Sequence, residues 1–97
     1  MNESIFVIEF EAVPVSEGAE IASGAYANVY VLAANCEVAI GRAKREVESA
    51  GWCVTEMTGA KAISMESFEP ESHGLAYYEQ CKIDGVVIVL HTWRNEH

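Results

Sequence analysis

The chain has 97 residues, of which 51% are hydrophobic, and its 15 acidic and 6 basic residues give a formal net charge of -9. This length suits one domain spanning residues 1–97, and the hydrophobic fraction is high for so small a body. We therefore expect some apolar side chains to face a partner or a ligand. The negative charge repels phosphate backbones and anionic lipids, which argues against binding to nucleic acid or a membrane surface.

The cysteines and the N-terminus indicate a cytoplasmic protein. Cys36, Cys53 and Cys81 are odd in number, widely separated and without a CxxC pair, which is typical of a reducing compartment. The first residues lack a basic region, and Glu9 and Glu11 interrupt the first apolar run, so we expect no signal peptide. No segment approaches the roughly 20 apolar residues of a membrane span.

Two strands are predicted in the first third of the chain. Ile5 to Phe10 forms the first, which ends near Pro14, and residues 16–24 form a loop. The second strand, Tyr26 to Ala34, alternates between a small apolar face that suits packing under helices and an aromatic and amide face. The aromatic and amide face suits a partner or a pocket and carries Tyr26, Asn28, Tyr30 and Leu32.

A helix follows, with Asn35 as its N-cap and Gly51 as the residue that ends it in a left-handed conformation. Its apolar residues recur at steps of three and four, which predicts one buried stripe. The stripe consists of Cys36, Ala39, Ile40, Ala43, Val47 and Ala50. Gly41 lowers helix stability, and we attribute its presence to close packing against the sheet.

The next segments are predicted to be a hairpin and a second helix. Trp52 to Met57 forms a strand, Thr58 and Gly59 make the turn, and Lys61 to Ser67 returns as the partner strand. The second helix runs from about Ser72 to Asp84. Its apolar stripe is predicted to contain Ala76, Tyr77, Gln80, Cys81 and Ile83.

The last strand starts at an unbroken apolar run, Val86 to Leu90, which follows Gly85. Such a run is typical of a strand that is covered on both faces. One sheet with helices on a single side provides only one cover. The fold therefore needs either an extra layer or a second copy of the chain.

The order of elements predicts an α+β fold. The last six elements spell the βαββαβ pattern of a ferredoxin-like sandwich, preceded by an additional N-terminal strand (ββαββαβ), in a mostly antiparallel sheet with two helices on one face. The final strand is then an apolar edge, which is unfavourable. We expect Ile5 to Phe10 to pair outside it, and the alternative is pairing across a dimer.

Five short segments carry a resemblance to a known group of proteins. They are Gly24-Ala25-Tyr26-Ala27-Asn28, Gly51-Trp52-Cys53-Val54, and Tyr77-Tyr78-Glu79-Gln80 with Asp84-Gly85 and His91-Thr92-Trp93. Over residues 24–93 the chain resembles a family of small bacterial proteins of unknown function. The resemblance implies no activity.

The strongest candidate site combines Asn28 and Tyr30 of the second strand with His91 and Trp93 of the last. His91 and Trp93 share a face because strand side chains repeat every two residues. With the amide and the phenol, they would bind a planar aromatic ligand, and His91 would move a proton. The alternative, which we favour, is that Trp93 closes the end of the core and His91 bonds a backbone carbonyl or water.

Tyr78 is a further contact candidate. With Lys82 it would cover the outer face of the second helix, as a packing pair or as a protein-contact surface.

Metal and thiol chemistry are weaker interpretations. A metal site would draw on Glu66, Glu69, Glu71 and His73, with His91 or Cys81. Their spacing does not make the ligands converge, so we expect no metal site. A thiol nucleophile would pair Cys81 with His73 or His91 and use Asp84 as orienter, but a free cysteine in a buried stripe acts as a small hydrophobe.

We expect a small binding or interaction domain, homodimeric through the helix-free sheet face or a sheet edge. In that arrangement Tyr30→Glu would weaken the dimer without unfolding the chain. One alternative is a cofactor-free ferredoxin-like enzyme that acts on an aromatic or enolisable ligand, with His91 as base. Another is an acidic immunity-type inhibitor of a basic protein, as the charge suggests.

Overall fold

The computed structural model describes residues 3–14, 24–64, 66 and 72–93. In this part of the chain four strands and two helices follow one another as β1 (Ser4–Pro14), β2 (Gly24–Ala33), α1 (Cys36–Ser49), β3 (Trp52–Ile63), α2 (His73–Asp84) and β4 (Val86–Trp93). The strands form one antiparallel sheet in the order β3-β1-β2-β4. The predicted loop at residues 16–24 lies outside the described residues, except for Gly24, which begins β2.

The helix boundaries follow from caps that are local in sequence. The Asn35 side chain accepts a hydrogen bond of 2.9 Å from the Val38 amide, and Ser72 accepts one of 3.2 Å from Leu75. Gly51 and Gly85 follow the two helices at φ values of 96° and 86°, where residues with a side chain are strained. The predicted starts and ends of both helices are therefore confirmed.

Helix α1 covers one face of the sheet. Ala39, Ala43 and Val47 of its predicted stripe are fully buried. They pack against every second residue of the two central strands, which are Phe6, Ile8, Phe10 and Ala12 of β1 and Ala27, Val29, Val31 and Ala33 of β2. The two alanines let the helix approach the sheet closely. The predicted packing role of Gly41 is wrong, because nothing lies within 4 Å of a Cβ built there.

Helix α2 covers the opposite face. Cys81 is its fully buried residue, and Tyr77 and Tyr78 pack beside it. They contact the alternate residues of the central strands, Ile5 and Val7 of β1 and Tyr30 of β2, together with Val87 and Val89 of β4. Because alternate strand residues point to opposite sides, the helices sandwich the sheet. Ile83, which the sequence predicted in the buried stripe, is 79% exposed.

The α+β class and the antiparallel sheet are confirmed, but the ferredoxin-like order is not. The helices lie on opposite faces, whereas the prediction placed both on one face. Ile5 to Phe10 lies in a central strand between β3 and β2, so the prediction that it pairs outside the last strand is wrong. β4 pairs with β2 and ends the sheet.

The predicted hairpin around Thr58 and Gly59 is also wrong. Residues 52–63 form one continuous strand of 12 residues. Its pairing with β1 shifts register between Glu9 and Phe10 and again between Glu11 and Ala12. At each shift β3 has one residue more than β1, and the extra residue forms a β-bulge. Gly59 therefore lies within a bulged strand and not in a turn.

The prediction that Val86 to Leu90 is covered on both faces is confirmed. Val86, Ile88 and Leu90 pack on the α1 side, and Val87 and Val89 pack on the α2 side. An additional helix layer provides the second cover. All five residues nevertheless stay half-buried, since only one of the described strands, β2, pairs with β4.

Across the described residues, neither helix combines the length and the apolarity that a membrane crossing requires.

Candidate functional site

Helix α2 covers only part of its side of the sheet. It lies over the half that contains Ile5, Val7 and Tyr30, and among the described residues the apolar cluster beneath α2 does not extend to the other half. That other half, which we call the open face, carries six of the described side chains, from three strands. They are Glu9 and Glu11 of β1, Tyr26 and Asn28 of β2, and His91 and Trp93 of β4.

Strand register arranges these side chains in rows. Glu11 lies opposite Tyr26, and Tyr26 lies opposite His91, so one row crosses the sheet from β1 to β4. Glu9 lies opposite Asn28 in the next row. Directly opposite residues of antiparallel strands have Cβ atoms about 4.5 to 5.5 Å apart, so the members of each row are neighbours.

Trp93 closes one end of the open face. Its indole ring lies over Gly24, where any Cβ atom would collide with the ring. The ring also contacts Tyr26, with 4.8 Å between the centroids and 41° between the planes. Tyr26 is still 51% exposed, so an aromatic surface remains available to a partner.

Glu9 lies at the other end of the open face. Its carboxylate extends over Gly59 of β3, and a Cβ atom built on Gly59 would lie 2.5 Å from Glu9 Oε1. Gly59 therefore provides the space in which this carboxylate rests. The glycine that suggested a turn in the sequence has a packing role here.

The predicted cluster is divided by α2. Asn28, Tyr30, His91 and Trp93 do share one side of the sheet, because Asn28 and Tyr26 pair with Val89 and His91 in register. Tyr30, however, is 8% exposed and lies beneath α2, with its ring 5.7 Å from that of Tyr77. The face that the sequence predicted to be free of helices is therefore half covered.

Burial beneath α2 has an electrostatic consequence at Tyr30. Loss of hydration raises the pKa of its phenol, and the charges of Tyr77 and Glu9 raise it further. The phenol therefore stays protonated. Tyr30 belongs to the core and is not available to an external ligand.

Tyr78 is likewise partly enclosed. It is half-buried in the cluster beneath α2, and the Lys82 ammonium lies 5.9 Å from the centre of its ring. Tyr78 and Lys82 therefore lie close together, as predicted. The Tyr78 side chain serves mainly in packing.

The thiol of Cys81 is placed for packing. It is fully buried, and desolvation raises its pKa to about 11, although Arg42 and a hydrogen bond with the Leu32 backbone act in the opposite direction. A thiol that stays protonated at neutral pH is a poor nucleophile. The geometry therefore favours the small-hydrophobe interpretation over the nucleophile.

Within the described ranges, no group of three or more histidine, cysteine or acidic side chains is arranged to hold a metal ion. Glu69 and Glu71 of the predicted ligand set lie outside those ranges.

Glu9, Glu11 and Tyr26 were absent from the predicted site. Tyr26 had been placed on the aromatic face of its strand, and Glu9 and Glu11 show the two-residue spacing of a single strand face. What the sequence did not show is that β1 pairs with β2, and this pairing brings the carboxylates beside the aromatic ring. His91 is exposed at the end of the row, where water has access to the imidazole.

Comparisons with protein-family models, with curated proteins and with solved structures found no match to this chain.

Proposed function

We propose that this protein is a small interaction domain that forms a homodimer by pairing the β4 strands of two copies. The single observation that carries the proposal is the character of β4. It is the last strand of the sheet among the described residues, yet residues 86–90 contain no charge, proline or glycine. An apolar edge strand of this kind is a template for adding another strand.

The opposite edge of the sheet is different. β3 has two register irregularities and carries Glu56 and Lys61. Bulges and charges are the features by which proteins discourage pairing at an exposed edge. The contrast favours β4 as the pairing edge.

The register of β4 against β2 predicts which backbone groups of β4 point away from β2. The Leu32 amide donates to the Gly85 carbonyl at 2.9 Å, which places this pair in the hydrogen-bonded position. Because such positions alternate in antiparallel strands, Val87 and Val89 direct their backbone groups toward β2. Ile88 and Leu90 then direct theirs outward, toward the second copy.

An isologous contact suits this edge. Two antiparallel copies of one strand related by a two-fold axis satisfy each other's backbone groups and close the assembly. The described strands of the two copies, four from each, then form one sheet, and the half-buried residues of β4 lose part of their contact with water. The three free cysteines of the chain, one of them buried, support a reducing cytoplasm as the setting.

Amide hydrogen exchange measured by NMR at low and high protein concentration tests the proposal. We expect the Ile88 and Leu90 amides to become protected as the concentration rises, in parallel with a doubling of mass in light scattering. The Val87 and Val89 amides, which bond to β2, are the internal control and should be protected throughout. A monomeric mass with rapid exchange at Ile88 and Leu90 at every concentration contradicts the proposal.

A further inference from the structure

Three carboxylates lie together on the α2 side of the sheet, beyond the end of α2. Glu9 and Glu11 are two residues apart on β1, so they point to the same side. Glu56 of β3 lies directly opposite Glu11. Like charges that face each other across two strands destabilise a sheet. A bound cation would offset the repulsion between carboxylates in these positions.

An aromatic surface lies beside these carboxylates. Tyr26 is opposite Glu11 on the other side of β1 and is half-exposed, and its ring is held by contact with Trp93. Gly24 leaves the space that the indole ring occupies over the strand. The ring faces of tyrosine and tryptophan attract cations, and planar guanidinium groups stack on them.

The basic residues that the structure describes lie elsewhere. Arg42, Lys44 and Arg45 belong to α1, which covers the opposite side of the sheet, and Lys82 lies over Tyr78. Lys61 is opposite Val7, toward the half that α2 covers. The strand neighbours of Glu9 and Glu11 are Gly59, Asn28, Glu56 and Tyr26. Within the described ranges, no basic residue is paired in register with either carboxylate.

We propose that the open face binds arginine side chains from an extended segment of a basic partner protein. A guanidinium donates two parallel hydrogen bonds to a carboxylate and also stacks on an aromatic ring, and Glu9, Glu11 and Tyr26 provide both kinds of contact. Arginines at alternate positions of an extended segment match the two-residue spacing of Glu9 and Glu11. This surface is distinct from the outer backbone edge of β4 that forms the dimer.

The net charge of the whole chain also favours a basic partner. A formal net charge of -9 attracts a basic partner over a distance and speeds its association at low salt. Net charge alone does not select a binding surface. The open face brings carboxylates together with the half-exposed ring of Tyr26.

The first test uses a blocked peptide, Gly-Arg-Gly-Arg-Gly, and its analogue in which citrulline replaces both arginines. Citrulline keeps the shape of the side chain and removes the charge. We expect the arginine peptide to shift the NMR signals of Glu9, Glu11, Tyr26 and His91, and the citrulline peptide to leave them unchanged. Equal binding of the two peptides, or shifts centred on α1, overturns the proposal.

The second test separates this site from general attraction between opposite charges. The double variant Glu9→Gln with Glu11→Gln should weaken binding of the arginine peptide about tenfold, as expected for two partly exposed ion pairs. The control is Glu37→Gln with Glu48→Gln, which removes the same charge from exposed positions on α1. An equal loss in both double variants overturns the proposal.

A third variant examines the aromatic contact. Tyr26→Leu should weaken binding of the arginine peptide severalfold, whereas Tyr26→Phe, which keeps the ring, should bind as the parent chain does. Because Tyr26 is half-exposed, neither change is expected to unfold the protein. Equal affinities for the leucine and phenylalanine variants would show that the ring takes no part, contrary to the proposal.

Discussion

The ring of Tyr30 lies against the ring of Tyr77, with 5.7 Å between their centroids, so α2 covers this aromatic position of β2. Tyr26, four residues earlier on the same side of the same strand, is 51% exposed. The boundary of α2 thus divides one continuous strand face into a core and an accessible surface. Alternation in the sequence placed both tyrosines on that face but did not show where the boundary lies.

Tyr30→Glu is expected to destabilise the fold itself. The variant buries a carboxylate beneath α2, close to Glu9, so we expect a loss of about 3 kcal/mol or more in the free energy of unfolding. Urea unfolding followed by circular dichroism measures it. The matched control is Tyr26→Glu, on the same face, for which repulsion from the opposite Glu11 should cost less than about 1 kcal/mol. Equal losses would contradict the placement of α2.

Gly24→Ala is expected to displace Trp93. The added methyl group would occupy the space of the indole ring, so the ring must leave its position over β2. In a Trp52→Phe background, the fluorescence of Trp93 should shift toward that of a solvated indole. The double variant Gly24→Ala with Trp93→Ala should show no further loss of stability over Trp93→Ala alone, because the clash is then absent. Unchanged emission in the Gly24→Ala chain would contradict the contact.

Gly41→Ala is expected to stabilise the protein. Gly41 lies within α1, is exposed, and has open space where the new Cβ would be. Alanine restricts the unfolded chain and favours the helix, which should raise the free energy of unfolding by about 0.5 to 1 kcal/mol. Urea unfolding measures the gain. A loss of stability would show that the glycine packs against a neighbour, as the sequence had suggested.

Ile88→Pro is expected to block the dimer while leaving the fold in place. Proline removes an amide that faces outward from β4 and does not interrupt the bonds to β2. Ile88→Ala is the matched control, because it loses almost the same packing, about 1 to 2 kcal/mol, but keeps the amide. Light scattering should show a monomer for proline and a dimer for alanine. Dimers of both variants would exclude β4 as the pairing strand.

Cys81 is expected to make the fold sensitive to alkaline pH. Its pKa is raised from 9.0 to about 11, so the folded state holds the thiol proton more tightly than the unfolded chain does. The resulting stability is fully present below pH 9 and is lost as the pH rises from about 9 to 11. Urea unfolding across this range should show a steeper fall for the parent chain than for Cys81→Ala. Parallel curves would contradict the shift.

The same burial predicts the order of thiol reactivity. Alkylation at neutral pH should modify the exposed Cys53 first and Cys81 last, with Cys81 reacting only through opening of the fold. This measurement locates Cys81 without any substitution.

The local features were predictable because their causes lie within a few residues. Asn35 and Gly51 are predicted as the boundaries of α1 from capping preferences, and the sequence also places the ends of α2 near Ser72 and Asp84. The apolar run Val86 to Leu90 likewise indicated that two layers cover the last strand. Ile5 to Ile8 is also an unbroken apolar run, and it belongs to a central strand.

The sequence by itself determined the two helices, three of the four strands in outline, and the covers on both faces of the last strand. Only the tertiary structure decided that β1 is central, that β3 is one bulged strand, and that Glu11, Tyr26 and His91 form one row. Caps and periodicity act between close neighbours in sequence. Strand pairing joins distant segments whose patterns fit several partners equally well, and the choice depends on how all layers pack together.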